Sequence, residues 1–384
     1  MTGLHWTFEH LVKYTSHPSF PSSTLNPLIK RLLASDPNAY IFGVGGHSVV
    51  LRIAPDVAAK VALEPGDEHL RHEQAILASL AGDAGSPHLI RSYLHAADVS
   101  FLELVENGNL HERMRRAGRP PRPVLLRWML QLAHAAACLE TLGYAHGDID
   151  PRNILVDAED QVRLIDFDHA LRPGAELDVG EEPYVRQSME PQGGQFGFAG
   201  PVTEQFALGS VFWYMARGAQ MYAELPGHER VDRLIRGDFP ATDPHDPVDG
   251  IIRRCWEGGY ATVVHLVDDI QRVSGLELPT RTPGRLGHMQ ERRRFCEEYC
   301  RLANLTVIQS NAKEENDACF DTASARNNTE KCGEVADISH ATPIVAGKSS
   351  MPTGYQSNQP NRQLPMKTSM LRFRTRAKSV CNFL

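Results

Sequence analysis

Two short apolar runs set close together constrain this chain more than anything else in it. Asn153-Ile154-Leu155-Val156 and Val162-Arg163-Leu164-Ile165 flank a polar stretch from Asp157 to Asp160, the pattern of a β-hairpin with a tight turn. Polar residues crowd both outer ends. His146-Gly147-Asp148-Ile149-Asp150-Pro151-Arg152-Asn153 leads in, and Asp166-Phe167-Asp168 leads out. The two arms of a hairpin lie side by side, so Asn153 and Asp166, at the outer ends of the two arms, can converge on one small region.

The rest of the chain arranges itself around this hairpin. From Tyr40 to Leu63, short apolar runs alternate with glycines and a Pro55-Asp56 turn, which predicts a β-meander. A helix is predicted from about Glu68 to Leu80 on the stripe Leu70, Ile76, Leu77 and Leu80, with Gly82 as its stop. Two more strands are expected between Leu89 and Val105, and Glu106-Asn107-Gly108 reads as a turn. Beyond this the chain is helical. Leu125, Met129, Leu132, Ala136 and Leu139 recur at helical spacing up to Gly143, Phe206 to Ala216 is a strongly apolar helix closed by Gly218, and one last helical pattern runs from Ile251 to Val273.

Residues 1–37 read as an appended N-terminal extension, with weak helical periodicity in Phe8, Leu11 and Val12 before a Pro/Ser-rich break. Residues 279–384 are expected to be a largely disordered tail with a helix at about 290–302, because Gln309 to Pro365 is polar with no sustained apolar period. A chain of 384 residues therefore fits one domain of roughly 250 residues plus flanks. Its net charge of -7 provides no general basic field, so nucleic acid is not expected as a partner. Seven cysteines, an odd number without paired short spacings, point to a reducing compartment. With no leader-like N-terminus and no apolar run of about 18 residues, an intracellular soluble protein is expected.

The hairpin and its ends resemble the catalytic loop and metal-binding motif of the eukaryotic protein kinase family. That resemblance implies an α+β bilobal fold, with a small β-rich lobe and one helix at 38–105 and a larger helical lobe at 106–278. It makes Asp148 the residue that accepts or orients the substrate hydroxyl, and Asn153 and Asp166 the magnesium ligands. Magnesium prefers oxygen donors, so an amide carbonyl and a carboxylate suit it while phosphate oxygens complete its shell.

Gly43-Val44-Gly45-Gly46-His47-Ser48-Val49-Val50 resembles the family's glycine-rich loop, with Ser48 at the third glycine position and Val50 placed to cover adenine. Ala58-Ala59-Lys60-Val61 resembles the strand of the phosphate-binding lysine, and Glu73 on the following helix is its expected partner, with Lys60 partly exposed in the cleft. Phe101 to Gly108 resembles the interlobe hinge, so backbone groups of Glu103 and Val105 are expected to hydrogen-bond adenine beside Leu102. Thr203 to Gly209 and Arg254-Cys255-Trp256 resemble later helical segments of the same family, with Glu204 where Asp is usual. ATP and Mg2+ are the implied cofactors and a protein substrate the implied partner.

Several positions depart from the family pattern. Gly147 stands where an arginine is usual, so a switch based on activation-segment phosphorylation is not expected. Asp150 replaces a lysine, which makes Arg152 the nearest catalytic cation, either pairing with Asp150 or reaching the γ-phosphate. Asp168 replaces a glycine, and neither Met189-Glu190-Pro191 nor Ala199-Gly200-Pro201 is a good Ala-Pro-Glu match. Three readings follow: a divergent active protein kinase; a small-molecule phosphotransferase similar to aminoglycoside and choline kinases; and an ATP-binding pseudokinase acting by interaction.

Outside the kinase-like part, Cys296 and Cys300 lie one helical turn apart near His288 but lack a second pair at zinc-ligand spacing. The final Cys381-Asn382-Phe383-Leu384 has the shape of a prenylation signal behind Arg372, Arg374, Arg376 and Lys378, although Asn and Phe fit the aliphatic positions poorly. It reads either as a lipid attachment site or as an unstructured basic end.

Overall fold

The structure, a computed structural model, describes residues 7–15, 25–80, 86–189, 194–277 and 285–308. The basic C-terminal end with Cys381 lies outside them, as do Glu190 and Pro191 of one Ala-Pro-Glu candidate.

Five antiparallel strands form the first sheet: β1 (Tyr40–Val44), β2 (Ser48–Ala54), β3 (Val57–Ala62), β4 (Ser92–Ala96) and β5 (Val99–Glu103), in the order β1-β2-β3-β5-β4. The central strand β3 is buried at every position, while β2 alternates buried and half-buried residues. A strand buried on both faces needs cover on both. One cover is α3 (Glu68–Ser79), started by the Asp67 carboxylate, which accepts the Leu70 N–H at 2.9 Å. From α3, the Gln74 amide donates to the carbonyls of Ala96 and Val99, so the β4–β5 turn is tied to the helix.

The described parts of the N-terminal extension pack onto the sheet. Leu11 of α1 (Phe8–Thr15) and Leu28, Ile29 and Leu32 of α2 (Pro27–Ser35) are buried in the same core as β1 to β5. Asn26 fixes α2 at both ends of a short span, accepting the Leu28 N–H at 3.0 Å and donating its own N–H to the Leu63 carbonyl at 2.7 Å.

The helix anticipated within the tail is likewise part of this core. It runs longer than its apolar pattern suggested, as the helix Arg285–Leu302, and buries Cys296 and Cys300 against the sheet. Tyr299 meets Phe101 edge to face at 5.9 Å, and Arg292 pairs with Asp56 at 2.5 Å. After it, residues 306–308 run beside β4, with the Ile308 N–H donating to the His95 carbonyl at 2.9 Å.

The larger part contains α4 (Leu110–Ala117), α5 (Arg122–Thr141), α6 (Pro201–Arg217), α7 (Gly227–Arg236), α8 (Pro247–Trp256) and α9 (Val263–Ser274), so the C-terminal helix is α10. Trp128, Met129, Leu132 and Ala136 of α5 are buried against Leu208, Val211 and Phe212 of α6. Gly209 lets α6 meet α8, since a Cβ there would lie 2.6 Å from the Cys255 Cβ. The single helix anticipated from Ile251 to Val273 is two helices, because the chain turns at Gly258, where φ is 70°.

The hairpin β6 (Ile154–Val156) and β7 (Val162–Leu164) pairs Ile154 with Leu164. The Asp157 carboxylate accepts two N–H groups inside the turn, and the Trp128 indole N–H donates to the Asp160 carbonyl at 2.8 Å. A buried ion network then joins hairpin to sheet. Arg91 grips Glu103 at 2.5 and 2.9 Å, Arg163 lies 3.5 Å from the same carboxylate, and Arg163 pairs with Asp157 at 3.0 Å. The candidate residues thus lie where the first sheet and the hairpin are joined.

Candidate active site

Lys60, in the middle of β3, pairs across the sheet with Val50 and Ser100. Its ammonium lies 2.7 Å from Glu73 on α3 and 2.5 Å from Asp166 just past β7. The lysine is buried, at 8% exposure, rather than partly exposed as anticipated, because the two carboxylates draw the ammonium inward beneath α3. Burial alone would lower its pKa, but Asp166 and Glu73 outweigh that and hold it well above the ordinary lysine range. Burial pushes Glu73 up while Lys60 pulls it back, and Lys60 overrides burial at Asp166 to lower its pKa.

Asp166 is held at φ 71°, a left-handed conformation that few residues other than glycine accept, although aspartate does so more readily than most. Glu73 secures the next residue by accepting the Phe167 N–H at 3.2 Å, and the Phe167 ring is fully buried against His146. His146 is the fixed point of the loop before the hairpin. Its Nδ1 accepts the Asp148 N–H at 3.2 Å, so its Nε2 carries the proton donated to the Ile165 carbonyl at 2.9 Å, and burial keeps the ring neutral by lowering its pKa.

Glu204 of α6 holds the same loop from below. Its two carboxylate oxygens accept the N–H groups of His146 at 2.8 Å and Gly147 at 3.0 Å. Gly147 adopts φ 77°, and a Cβ there would stand 2.8 Å from the His169 carbonyl oxygen. An arginine does not fit this backbone, which is a physical reason for the departure at that position.

Asn153 donates from Nδ2 to the Asp148 carbonyl at 2.9 Å and to the Asp148 carboxylate at 3.1 Å. The amide is thereby oriented, leaving its carbonyl oxygen as the candidate ligand atom. Asp148 is half-buried at the mouth of the loop. Asp168, at the usual glycine position, has its pKa pushed well up by burial and by the neighbouring Asp166.

Arg152 takes the first of its two anticipated arrangements. Its guanidinium donates to both oxygens of buried Asp150, at 3.0 and 3.2 Å, and to Glu181 at 2.6 Å. The loop thus presents a paired carboxylate at the usual lysine position. Glu181 was not legible as a member, since it lies 29 residues from Arg152 in the chain.

The glycine-rich segment turns tightly, with the Gly45 N–H donating to the Ser48 carbonyl at 2.7 Å and Gly43 paired with Val50 across a bulge in β1. At the hinge the Glu103 N–H is committed to the Arg91 carbonyl at 2.9 Å, and its side chain to Arg91 and Arg163. Glu103 can therefore meet a ligand only through its carbonyl oxygen. Leu102 and Val105 are buried on either side of it.

A family model described as the protein kinase domain matches residues 45–244, just over half of the chain. The chain belongs to the protein kinase family. It is 30% identical over 142 residues to the cytokinesis protein sepH of Aspergillus niger, covering 36% of this chain and 10% of that protein. To the receptor tyrosine-protein kinase erbB-2 of Mesocricetus auratus it is 26% identical over 226 residues, 55% of this chain and 17% of the receptor. To the serine/threonine-protein kinase PKH3 of Eremothecium gossypii it is 26% identical over 187 residues, 44% and 25% of the two chains. This kinase-family chain thus matches a quarter or less of the length of these relatives. Among its described residues no helix is long and apolar enough to cross a membrane.

The structure also gathers residues that no motif pointed to. His47 of the glycine-rich segment, His69 of α3 and His169 beyond Asp168 lie together, each half-buried. No function was assigned to any of the three from the sequence.

Proposed function

We propose that this kinase domain transfers the γ-phosphoryl group of ATP to a hydroxyl group of a protein. The observation that carries the reading is the ammonium of Lys60 held between Glu73 and Asp166, at 2.7 and 2.5 Å, next to a loop that presents Asp148 and an oriented Asn153. A buried lysine kept charged by two carboxylates is a fixed cation for the α- and β-phosphates. The Asn153 carbonyl oxygen and the Asp166 carboxylate form an all-oxygen donor set suited to magnesium, which when bound neutralises charge on the phosphates.

Each residue then has a distinct task. The Glu103 carbonyl and the Val105 N–H bind the adenine edge, with Leu102 and Val50 against its faces. Gly43, Gly45, Gly46 and Ser48 allow backbone N–H groups to approach the phosphates. Asp148 orients the incoming hydroxyl and takes its proton as the hydroxyl oxygen bonds to the γ-phosphorus and the bond to the β–γ bridging oxygen breaks, releasing ADP. Arg152 neutralises Asp150, so this loop does not repel the transferring phosphate.

The test is incubation of the purified chain with γ-labelled ATP and magnesium, in parallel with generic protein substrates and with aminoglycosides and choline. Label on serine, threonine or tyrosine hydroxyls is expected. Label on the small molecules alone, or ATP binding without any transfer, would replace this reading with one of its two alternatives.

A further inference from the structure

We propose that His47, His69 and His169 form a binding site for a divalent transition-metal ion of the zinc class, separate from the magnesium position between Asn153 and Asp166. One ring nitrogen of each lies within 4.8 Å of those of the other two. The rings of His47 and His69 stack at 3.9 Å, and His169 meets them edge-on at 6.1 and 5.3 Å.

A tetrahedral zinc ion with bonds of about 2.0–2.1 Å holds its ligand nitrogens roughly 3.4 Å apart. Closing from the observed spacing needs side-chain movement on the order of 1 Å, within the reach of rings that are only half-buried. Oxygen donors flank the three nitrogens. The Asp67 carboxylate lies 3.9 Å from His47 Nδ1, and the Asp168 carboxylate lies 3.9 Å from His169 Nε2. Either can orient a ring or complete a fourth position otherwise held by water.

Donor type separates this ion from the nucleotide's metal. Imidazole nitrogen selects zinc, copper or nickel, whereas magnesium goes to carboxylate, carbonyl and phosphate oxygen. The ligands come from three elements: the turn between β1 and β2, the first turn of α3, and the segment that follows Asp166. A bound ion therefore fastens the glycine-rich segment both to the helix of Glu73 and to the segment after Asp166.

The experiment is calorimetric titration of the full chain with ZnCl2, alongside His69→Gln and His47→Gln and a Cys296→Ser/Cys300→Ser control, with melting curves for each. Wild type and the cysteine control are expected to bind one zinc ion equally well and to melt higher with zinc. Each histidine variant should lose at least tenfold in affinity and the zinc-dependent shift, while far-UV circular dichroism shows it folded. Cobalt substituted in wild type should show tetrahedral visible bands without thiolate charge-transfer absorption. Undiminished binding in the two folded histidine variants, loss of binding in the cysteine control, or no wild-type binding below about 100 μM would overturn the proposal.

Discussion

Replacing Arg152 with alanine should weaken both the fold and the reaction, and by amounts that differ in origin. Asp150 is buried, with its side chain only 4% exposed, and receives two of its hydrogen bonds from the Arg152 guanidinium. In Arg152→Ala the hydrogen bond left to the carboxylate among the described residues is that from the backbone N–H of residue 152, 2.6 Å away in the native chain. Breaking a fully buried pair costs about 3–5 kcal/mol, but this guanidinium is 27% exposed and water can enter part of the gap. The expected loss is therefore about 2–3 kcal/mol, with the half-exposed Glu181 contact adding about 1 kcal/mol at most. Urea unfolding measures it directly. The double variant Asp150→Asn/Arg152→Ala should recover part of the loss, because it removes the orphaned charge. At saturating substrate, kcat should fall ten- to a thousandfold, about 1.4 to 4 kcal/mol, as the unneutralised Asp150 faces the transferring phosphate. Native stability together with unchanged kcat would refute the reasoning. Lost stability with unchanged kcat would confine Arg152 to holding the loop.

Lys60→Met should abolish phosphoryl transfer and also destabilise the chain by about 3–5 kcal/mol, since it leaves Glu73 buried without its cation; equal urea midpoints for the variant and wild type would contradict this. Burial pushes the Glu204 carboxyl up to about 7, against the pull of its two N–H donors. The folded chain then holds a proton that the unfolded chain releases between about pH 4.5 and 7, so stability should fall as pH rises through that window, by up to about 3 kcal/mol. Urea midpoints at pH 5 and 8 measure the slope, which should shrink in Glu204→Gln. A chain ended after Gly275 should melt well below one ended after Ile308, or aggregate, because the sheet loses the cover of Cys296, Tyr299 and Cys300; equal melting temperatures would mean that α10 contributes nothing to the fold.

The elements legible in the sequence were those whose signal is local. The hairpin announced itself through two short, mainly apolar runs around an acidic turn, and Lys60, Glu73, Asp148, Asn153 and Asp166 through their order in the family's motifs. The structure brings Lys60, Glu73 and Asp166 into direct contact and joins Asp148 to Asn153. What stayed hidden depends on partners far along the chain. Nothing within Phe8–Thr15 or Arg285–Leu302 states that both helices cover one sheet, because a short amphipathic pattern says that a face is buried but not against what. The break at Gly258-Gly259 was available as a pair of helix-breaking residues, and the continuous apolar pattern around it masked the turn. His47, His69 and His169 are linked by no period at all, and only the folded cleft makes them neighbours.

The central claim is that this loop and lysine perform phosphoryl transfer to protein. The most direct measurement compares label incorporated from γ-labelled ATP into protein hydroxyls by wild type and by Asp148→Asn, with ATP affinity measured for both. General-base residues contribute about a hundred- to ten-thousandfold, so Asp148→Asn should slow transfer by at least a hundredfold while binding ATP as wild type does. Equal incorporation by the two proteins, or none by wild type above the variant's background, would contradict the account.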